Sequence, residues 1–284
     1  MSHDTNPDTS GPILHASNLS FGYAKGEPTF SELGFDLDPG QIFTILGANG
    51  TGKSTLLNCL GRLLTPTGGE VCLLGRPLAE YAVDEFARVV GYVPQVSTEL
   101  IASSVRDYVV MGRAPYLGML SVPGVADYDL ADEALRAMEI THLADKPLRQ
   151  ISGGERQQVH IARVLVQEPR LVLLDEPTNH LDFGNQLKVL SLIAGLADRG
   201  LAVVLTTHVP DHAMLLDGQV GMLGRTGRMV TGPAGEVITE QALRDLYETD
   251  LHLVHVGAVD RMACIPGRLA VRTSDLEIAG ATKN

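Results

Sequence analysis

The run Gly47-Ala48-Asn49-Gly50-Thr51-Gly52-Lys53-Ser54 is a G-x-x-x-x-G-K-S pattern, and its residue types suit one task, holding a polyphosphate. Its glycines let backbone N–H groups curl around phosphate oxygens with no Cβ in the way. Lys53 supplies a point charge, and the Ser54 hydroxyl is placed to ligate Mg²⁺. The apolar run Ile42–Leu46 before the loop reads as a buried strand, and residues 55–60 after it read as the first turns of a helix. That helix start adds unpaired donors and a dipole. Gly47, Asn49, Gly50, Thr51, Gly52, Lys53, Ser54 and Thr55 are therefore candidate contacts to a nucleoside triphosphate.

Two acids end a second apolar run, Leu171-Val172-Leu173-Leu174-Asp175-Glu176. Asp175, at the strand end, can hold Mg²⁺ directly or through water. Glu176 is one residue further on, where it can orient or deprotonate a water beside a γ-phosphate. Alone, two acids before Pro177 would read equally well as a solvated strand cap; the phosphate loop tips the balance. Twenty residues before Asp175 lies Ile151-Ser152-Gly153-Gly154-Glu155. Ser152 and Glu155 have the spacing of a capping box. Two glycines in the first helical positions cost about 1 kcal/mol each against alanine. They make sense if another phosphate must come close to that helix start.

These residues need a core that carries strand ends and helix starts to one place. The 284 residues are 44% hydrophobic and 20% charged, ordinary for a globular protein with a sizeable core. Residues 1–11 are polar and read as a disordered leader. From Ile13 to Leu46, apolar and polar residues alternate between turn signals, the pattern of short antiparallel strands. Further strands are expected at 70–75 and 89–94. Residues 97–150 read as an inserted helical subdomain, with helices at 104–111 and 128–138 around a Pro/Gly-rich connection. The core then resumes with a helix from Ser152, a strand at Leu171–Leu174, a helix at 185–199 and a strand at 201–206. Such alternation implies a mostly parallel sheet covered on both faces, an α/β fold. A helix at 240–247 and a weakly patterned tail follow.

Other chemistries find little support. Cys59, Cys72 and Cys264 lack C-x-x-C spacing and read as small buried hydrophobes. His252-x-x-His255 and His208-x-x-x-His212 have no convincing third metal ligand. A net charge of −12, with no lysine- or arginine-rich run, argues against nucleic acid as a partner. No segment is long and apolar enough to span a bilayer or has the form of a signal peptide.

The phosphate loop, Ser152-Gly153-Gly154-Glu155, the Leu173-Leu174-Asp175-Glu176-Pro177 strand end, Asn179-His180-Leu181-Asp182 and Thr207-His208 stand in the order and spacing of the ATP-binding cassette ATPases. The resemblance covers roughly 13–235. It implies a P-loop NTPase (RecA-like) core with an N-terminal antiparallel β subdomain and an inserted helical subdomain. The ATPase domain would then span 12–235, leaving 236–284 as a short C-terminal extension. By the same resemblance, Tyr23, 24 residues before Gly47, is similar to the aromatic that stacks on adenine. Gln95 resembles the glutamine that touches Mg²⁺ and the attacking water and faces the membrane partner. Ser152, Gly153 and Gly154 resemble the signature that closes over ATP bound by the opposite subunit; Glu155 replaces its commoner glutamine. Asp182 matches the loop that communicates across the dimer, and His208 the switch histidine that contacts the γ-phosphate. His180 takes no chemical role.

The resemblance also implies partners: a homodimer of ATPase subunits, two integral-membrane permease subunits and, indirectly, an extracytoplasmic substrate-binding protein. The expected location is peripheral, at the cytoplasmic face of the cell membrane. Residues 109–118, Val-Val-Met-Gly-Arg-Ala-Pro-Tyr-Leu-Gly, resemble a segment of importers of iron–siderophore, haem and cobalamin and of a related molybdate branch. His208-Val209-Pro210-Asp211 stands where the siderophore group usually has H-D-L-N, which keeps the oxyanion branch open. Residues 104–118, with Arg113 and Tyr116, are the expected permease contact. Soluble cassette ATPases of DNA repair or translation usually carry two cassettes, a long coiled-coil insertion or a zinc module, and none is visible here.

Overall fold

In the computed structural model, residues 11–23, 28–95, 103–118 and 121–268 are described; the expected leader lies almost wholly outside them. The chain runs through β1 (Leu14–Phe21), β2 (Phe30–Leu37), β3 (Ile42–Leu46), α1 (Lys53–Leu60), β4 (Gly68–Leu73), β5 (Arg76–Pro77), α2 (Val83–Val89) and β6 (Val90–Val93). It continues with α3 (Val105–Val110), α4 (Val125–Ala137), α5 (Gly153–Leu165), β7 (Leu171–Leu174), α6 (Phe183–Asp198), β8 (Ala202–Thr207) and α7 (Pro210–Leu216). It closes with β9 (Gln219–Leu223), β10 (Met229–Pro233), α8 (Ala234–Val237), α9 (Glu240–Tyr247), β11 (Leu251–Val256) and β12 (Arg261–Pro266).

The central sheet has the order β10-β9-β3-β8-β7-β6, parallel except for β10. Every residue of β3, β7 and β8 is buried, as strands covered on both faces must be. Side chains alternate between two cores. Leu171, Leu173 and Val204 pack with α1 and the antiparallel sheet β2-β1-β4-β5. Val172, Leu174, Val203 and Leu205 pack with α3, α4, α5 and α6. The antiparallel expectation over 13–46 therefore holds for β1 and β2, whereas β3 belongs to the parallel sheet because both of its faces are buried.

Between β6 and α5 the described residues are helical, and their apolar faces join the core beneath α5 and α6. The helix expected over 104–111 stops at Val110 and tightens into a 3₁₀ turn over Met111–Tyr116. Gly112 lets this turn pass close to α5, since a Cβ there would lie 2.1 Å from the Arg163 carbonyl oxygen. The adjacent Arg113 is committed inside the molecule, whereas Tyr116 keeps an exposed ring. Arg113 pairs with Asp127 at 3.2 Å and Glu168 at 3.0 Å, donates to the Val166 carbonyl, and lies over the Tyr116 ring. The Tyr116 hydroxyl donates to the Gln167 carbonyl at 2.8 Å. Arg113 is 12% exposed, so it anchors this region to the end of α5 and offers little surface to a partner.

The weakly patterned tail contains a feature the sequence reading lacked, the hairpin β11–β12. Leu251, Leu253 and Cys264 on one of its faces pack with Leu243 and Leu246 of α9 and with Leu46, Val220 and Met222 of the sheet.

Candidate functional site

The parallel strands end side by side, and their C-terminal ends carry the chemistry. β3 delivers the phosphate loop, whose Gly50 and Gly52 adopt φ of 81° and 98°, a region glycine enters without strain. Gly47 N–H donates to the Thr207 carbonyl at the end of β8, tying the loop to its neighbour. Thr51 Oγ1 donates back to the Ala48 carbonyl. The Lys53 side chain is 4% exposed, and its Nζ donates to the Gly47 and Ala48 carbonyls at 3.0 and 3.1 Å. It also lies 3.3 Å from Glu176 Oε1.

Register explains the next shell. Leu174 pairs with Leu205 across β7 and β8, so Thr206 comes opposite Asp175. The Thr206 hydroxyl donates to Asp175 Oδ1 at 2.6 Å and accepts from Glu176 N–H at 2.8 Å. Ser54 Oγ donates to the same Asp175 oxygen at 3.0 Å. Thr206 went unnoticed in the sequence because its partner is 31 residues away; the signal was its place at the end of the neighbouring strand.

Glu176 is 8% exposed and left-handed at φ 45°, immediately before Pro177. Non-glycine residues held in that region cluster at functional sites, because surrounding contacts must over-determine them. Those contacts are present. Glu176 Oε2 receives His208 Nδ1 at 3.1 Å, Asn179 Nδ2 at 3.1 Å and Gln95 Nε2 at 3.4 Å. The sequence gives Asn179 no role of its own; its place three residues after Glu176 is the available clue.

Behind this pair stands His212, 5% exposed on α7. Its Nδ1 sits 3.2 Å from Thr178 Oγ1 and 3.3 Å from Thr207 Oγ1, bridging the segments that carry Glu176 and His208. Burial first, and neighbouring His208 second, lower its pKa, which favours the neutral imidazole beside the two hydroxyls.

Tyr23, Thr29, Asn49, Gly50, Gly52, Lys53, Ser54, Thr55, Gln95, Glu176 and Asn179 together line one open cleft of about 490 Å³. Tyr23 is 62% exposed at its rim, its ring edge-on to Phe21. Thr29 is an addition to the residues expected from sequence; its methyl lies 2.5 Å from where a Cβ on Gly52 would sit. Ser54, Gln95 and Asp175 offer hard oxygen donors, and Ser54 and Asp175 already meet, which suits Mg²⁺. Among the described residues no cluster of three or more His, Cys, Asp and Glu side chains could hold a metal alone. A cation here would thus draw other ligands from phosphate and water.

Ser152, Gly153, Gly154, Glu155 and Asp182 do not line that cleft; Ser152 and Glu155 border a separate groove against α6. Ser152 caps α5: its Oγ accepts from Glu155 N–H, and Glu155 Oε2 accepts from Ser152 N–H at 2.7 Å. That bond, first among its causes, lowers the Glu155 pKa. The two glycines differ. A Cβ on buried Gly154 would lie 2.6 Å from Asn185 Cγ, an internal reason for glycine. A Cβ on exposed Gly153 would meet nothing nearer than Leu181 Cδ2 at 3.8 Å, so no internal contact demands glycine there. Asp182 caps α6 by accepting from Asn185 N–H at 2.9 Å. His180 is exposed, at φ 61°.

Of the three cysteines, all free, only Cys59 is buried as expected, its thiol pushed up to about 11; Cys72 and Cys264 are half-buried. His252 pairs with Glu240 and Asp250 at 3.5 Å, and His255 with Asp260 at 3.0 Å.

Residues 30–179 match the ABC transporter family. An ABC transporter ATP-binding protein of Haemophilus influenzae is 39% identical over 86% of this chain and 92% of its own length. The molybdate import ATP-binding protein MolC of the same organism is 36% identical over 82% and 87%. A solved structure described as a metal-chelate type ABC transporter, in an inward-facing conformation, superposes with a TM-score of 0.81 at 33% identity, covering 91% of this chain and 99% of that one. With its phosphate loop, strand-end acids and helix-start glycines in the family's order, this chain belongs to the ABC transporter family as an ATP-binding, ATP-hydrolysing subunit.

Proposed function

We propose that this ATPase powers an importer of a metal chelate of the iron–siderophore, haem or cobalamin type, through a separate permease. One observation carries the catalytic part. The Glu176 carboxylate is buried at the wall of the phosphate-loop cleft, with Lys53 on one oxygen and His208, Gln95 and Asn179 on the other. Glu176 accepts the proton of the attacking water. Lys53 and the loop amides hold the β- and γ-phosphates, and His208 turns from Glu176 to the γ-phosphate. Tyr23 covers the adenine. Ser54, Asp175 and Gln95 would hold Mg²⁺, which would neutralise charge on the phosphate oxygens.

Two chains act together. Ser152 and Gly153 are exposed and lie outside their own chain's cleft, so the helix start of one chain closes over the ATP of its partner, with Asp182 beside it. Closing pulls two permease subunits together, and ATP drives this through its differential affinity for the closed state. The subunit works at the cytoplasmic face of its permeases; among the described residues no helix is long and apolar enough to cross a membrane. With Arg113 committed internally, the docking face is better assigned to exposed Met111, Val122 and Val125. The substrate arrives through an extracytoplasmic binding protein.

The similarity to the molybdate import protein supports a second reading, the same role in molybdate or tungstate uptake. Reconstitution with its permease in vesicles tests both. ATP-dependent uptake of a ferric chelate is expected; uptake of molybdate alone selects the second reading, and uptake of neither overturns both.

A further inference from the structure

The residues beyond Val237 carry no nucleotide motif, yet they are built against the switch-histidine segment. α9 ends at Tyr247, whose hydroxyl donates to the backbone carbonyl of His208 at 2.8 Å. β12 packs against α7, where Cys264 N–H donates to Asp211 Oδ1 at 3.4 Å and Arg261 Nη1 lies 3.6 Å from the same oxygen. The apolar cluster beneath includes Tyr247, Leu253 and Cys264, and it reaches Leu46, the residue before the phosphate loop.

The switch segment needs such support because of its own sequence. α7 starts at Pro210, and its cap position is Val209, which offers no side-chain acceptor to the first helical amides. Pro210 presets φ but has no N–H of its own to donate. Asp211, the acid of the first turn, is turned to the hairpin. The local ties that remain include Val209 N–H to Thr207 Oγ1 and His212 N–H to the Val209 carbonyl, both at 3.1 Å, and the His212 ring beside Thr207 Oγ1. Burial, helped by the neighbouring Cys264 and Glu176, raises the Tyr247 phenol well above its ordinary range, so it stays a protonated donor.

We propose that the C-terminal region is a positioning device for the switch histidine: Tyr247, anchored by α9 and the hairpin, fixes the His208 main chain so that its ring can pass from Glu176 to the γ-phosphate. Tyr247 is a positioning residue and touches no substrate. The inference rests on the reading of His208 as a γ-phosphate contact.

The test compares Tyr247→Phe, His208→Ala and the double variant by single-turnover phosphate release, with ATP affinity and Tm measured alongside. Tyr247→Phe removes one hydroxyl. It should lower the hydrolysis rate about five- to tenfold, the scale of one lost hydrogen bond, with KM for ATP within twofold. Tm should fall by no more than about 4 °C. In the His208→Ala background the same change should have no further effect, because the ring it positions is gone. An unchanged rate in Tyr247→Phe, or the same loss with and without His208, overturns the proposal. Full activity in His208→Ala overturns instead the reading of His208 beneath it, which separates the two failures.

Discussion

The strand-end cluster around Glu176 and the helix start at Ser152 are built in opposite ways. Around Glu176 the polar groups are tied within one chain: Lys53, His208, Asn179 and Gln95 hold the carboxylate, and Thr206 joins its backbone to Asp175. At Ser152 the capping box satisfies the helix locally, while Ser152 and Gly153 face solvent. Under the proposed function the first region does the chemistry and the second is approached by the partner's ATP; Ser152 and Glu155 line a groove separate from the phosphate-loop cleft.

The largest expected effect lies in the first region. Glu176→Gln keeps the size and hydrogen-bonding reach of the side chain but cannot accept a proton. Steady-state hydrolysis should fall by about 10²–10⁴ while ATP still binds. Near wild-type turnover would remove Glu176 from the role of base.

Arg113 asks whether the helical region belongs with the self-satisfied side of the comparison. Arg113→Glu would place a third acid beside Asp127 and Glu168 and strip a partly buried donor from the Val166 carbonyl. A loss of about 3 kcal/mol in urea unfolding is expected. Unchanged stability with impaired transport would return Arg113 to the permease surface.

The glycine pair sharpens the contrast inside one helix. Gly153→Ala should stabilise the fold by about 1 kcal/mol, since its Cβ has room and alanine favours the helix. Gly154→Ala should destabilise it, because the Cβ meets Asn185. If Gly153→Ala also slows hydrolysis, its glycine serves an approaching group; stability gained with activity unchanged would mean nothing approaches closely.

The smallest effect concerns His212. Its folded pKa lies below the ordinary 6.5, so in the unfolded chain it binds a proton more readily. Its contribution is full above 6.5 and is lost as pH falls below that value towards the lower folded pKa. Urea midpoints should therefore drop more between pH 7.5 and 5.5 in the parent than in His212→Gln. Equal slopes would show that the Thr178 and Thr207 contacts do not depend on the neutral ring.

The phosphate loop was legible because its chemistry is written in consecutive residues, and Gly50 and Gly52 sit where φ is positive. Glu176 was legible as the end of an apolar run. Thr206 and Tyr247 were not, because each acts through a partner brought near by sheet register or by the packing of α9. The capping box forms as its spacing predicts. A second reason for glycine at 154, the nearness of Asn185, is not legible, because only the fold places Asn185 there. The β11–β12 hairpin escaped notice because its outer face mixes His252, Val254 and Ile265, which blurs the strict alternation of a strand.

That two chains complete each other's site is tested most directly by sedimentation of the Glu176→Gln protein, which traps ATP by hydrolysing it slowly. With ATP and Mg²⁺ the protein should sediment as a dimer and return to monomers when ATP is removed. A monomer under both conditions would contradict it.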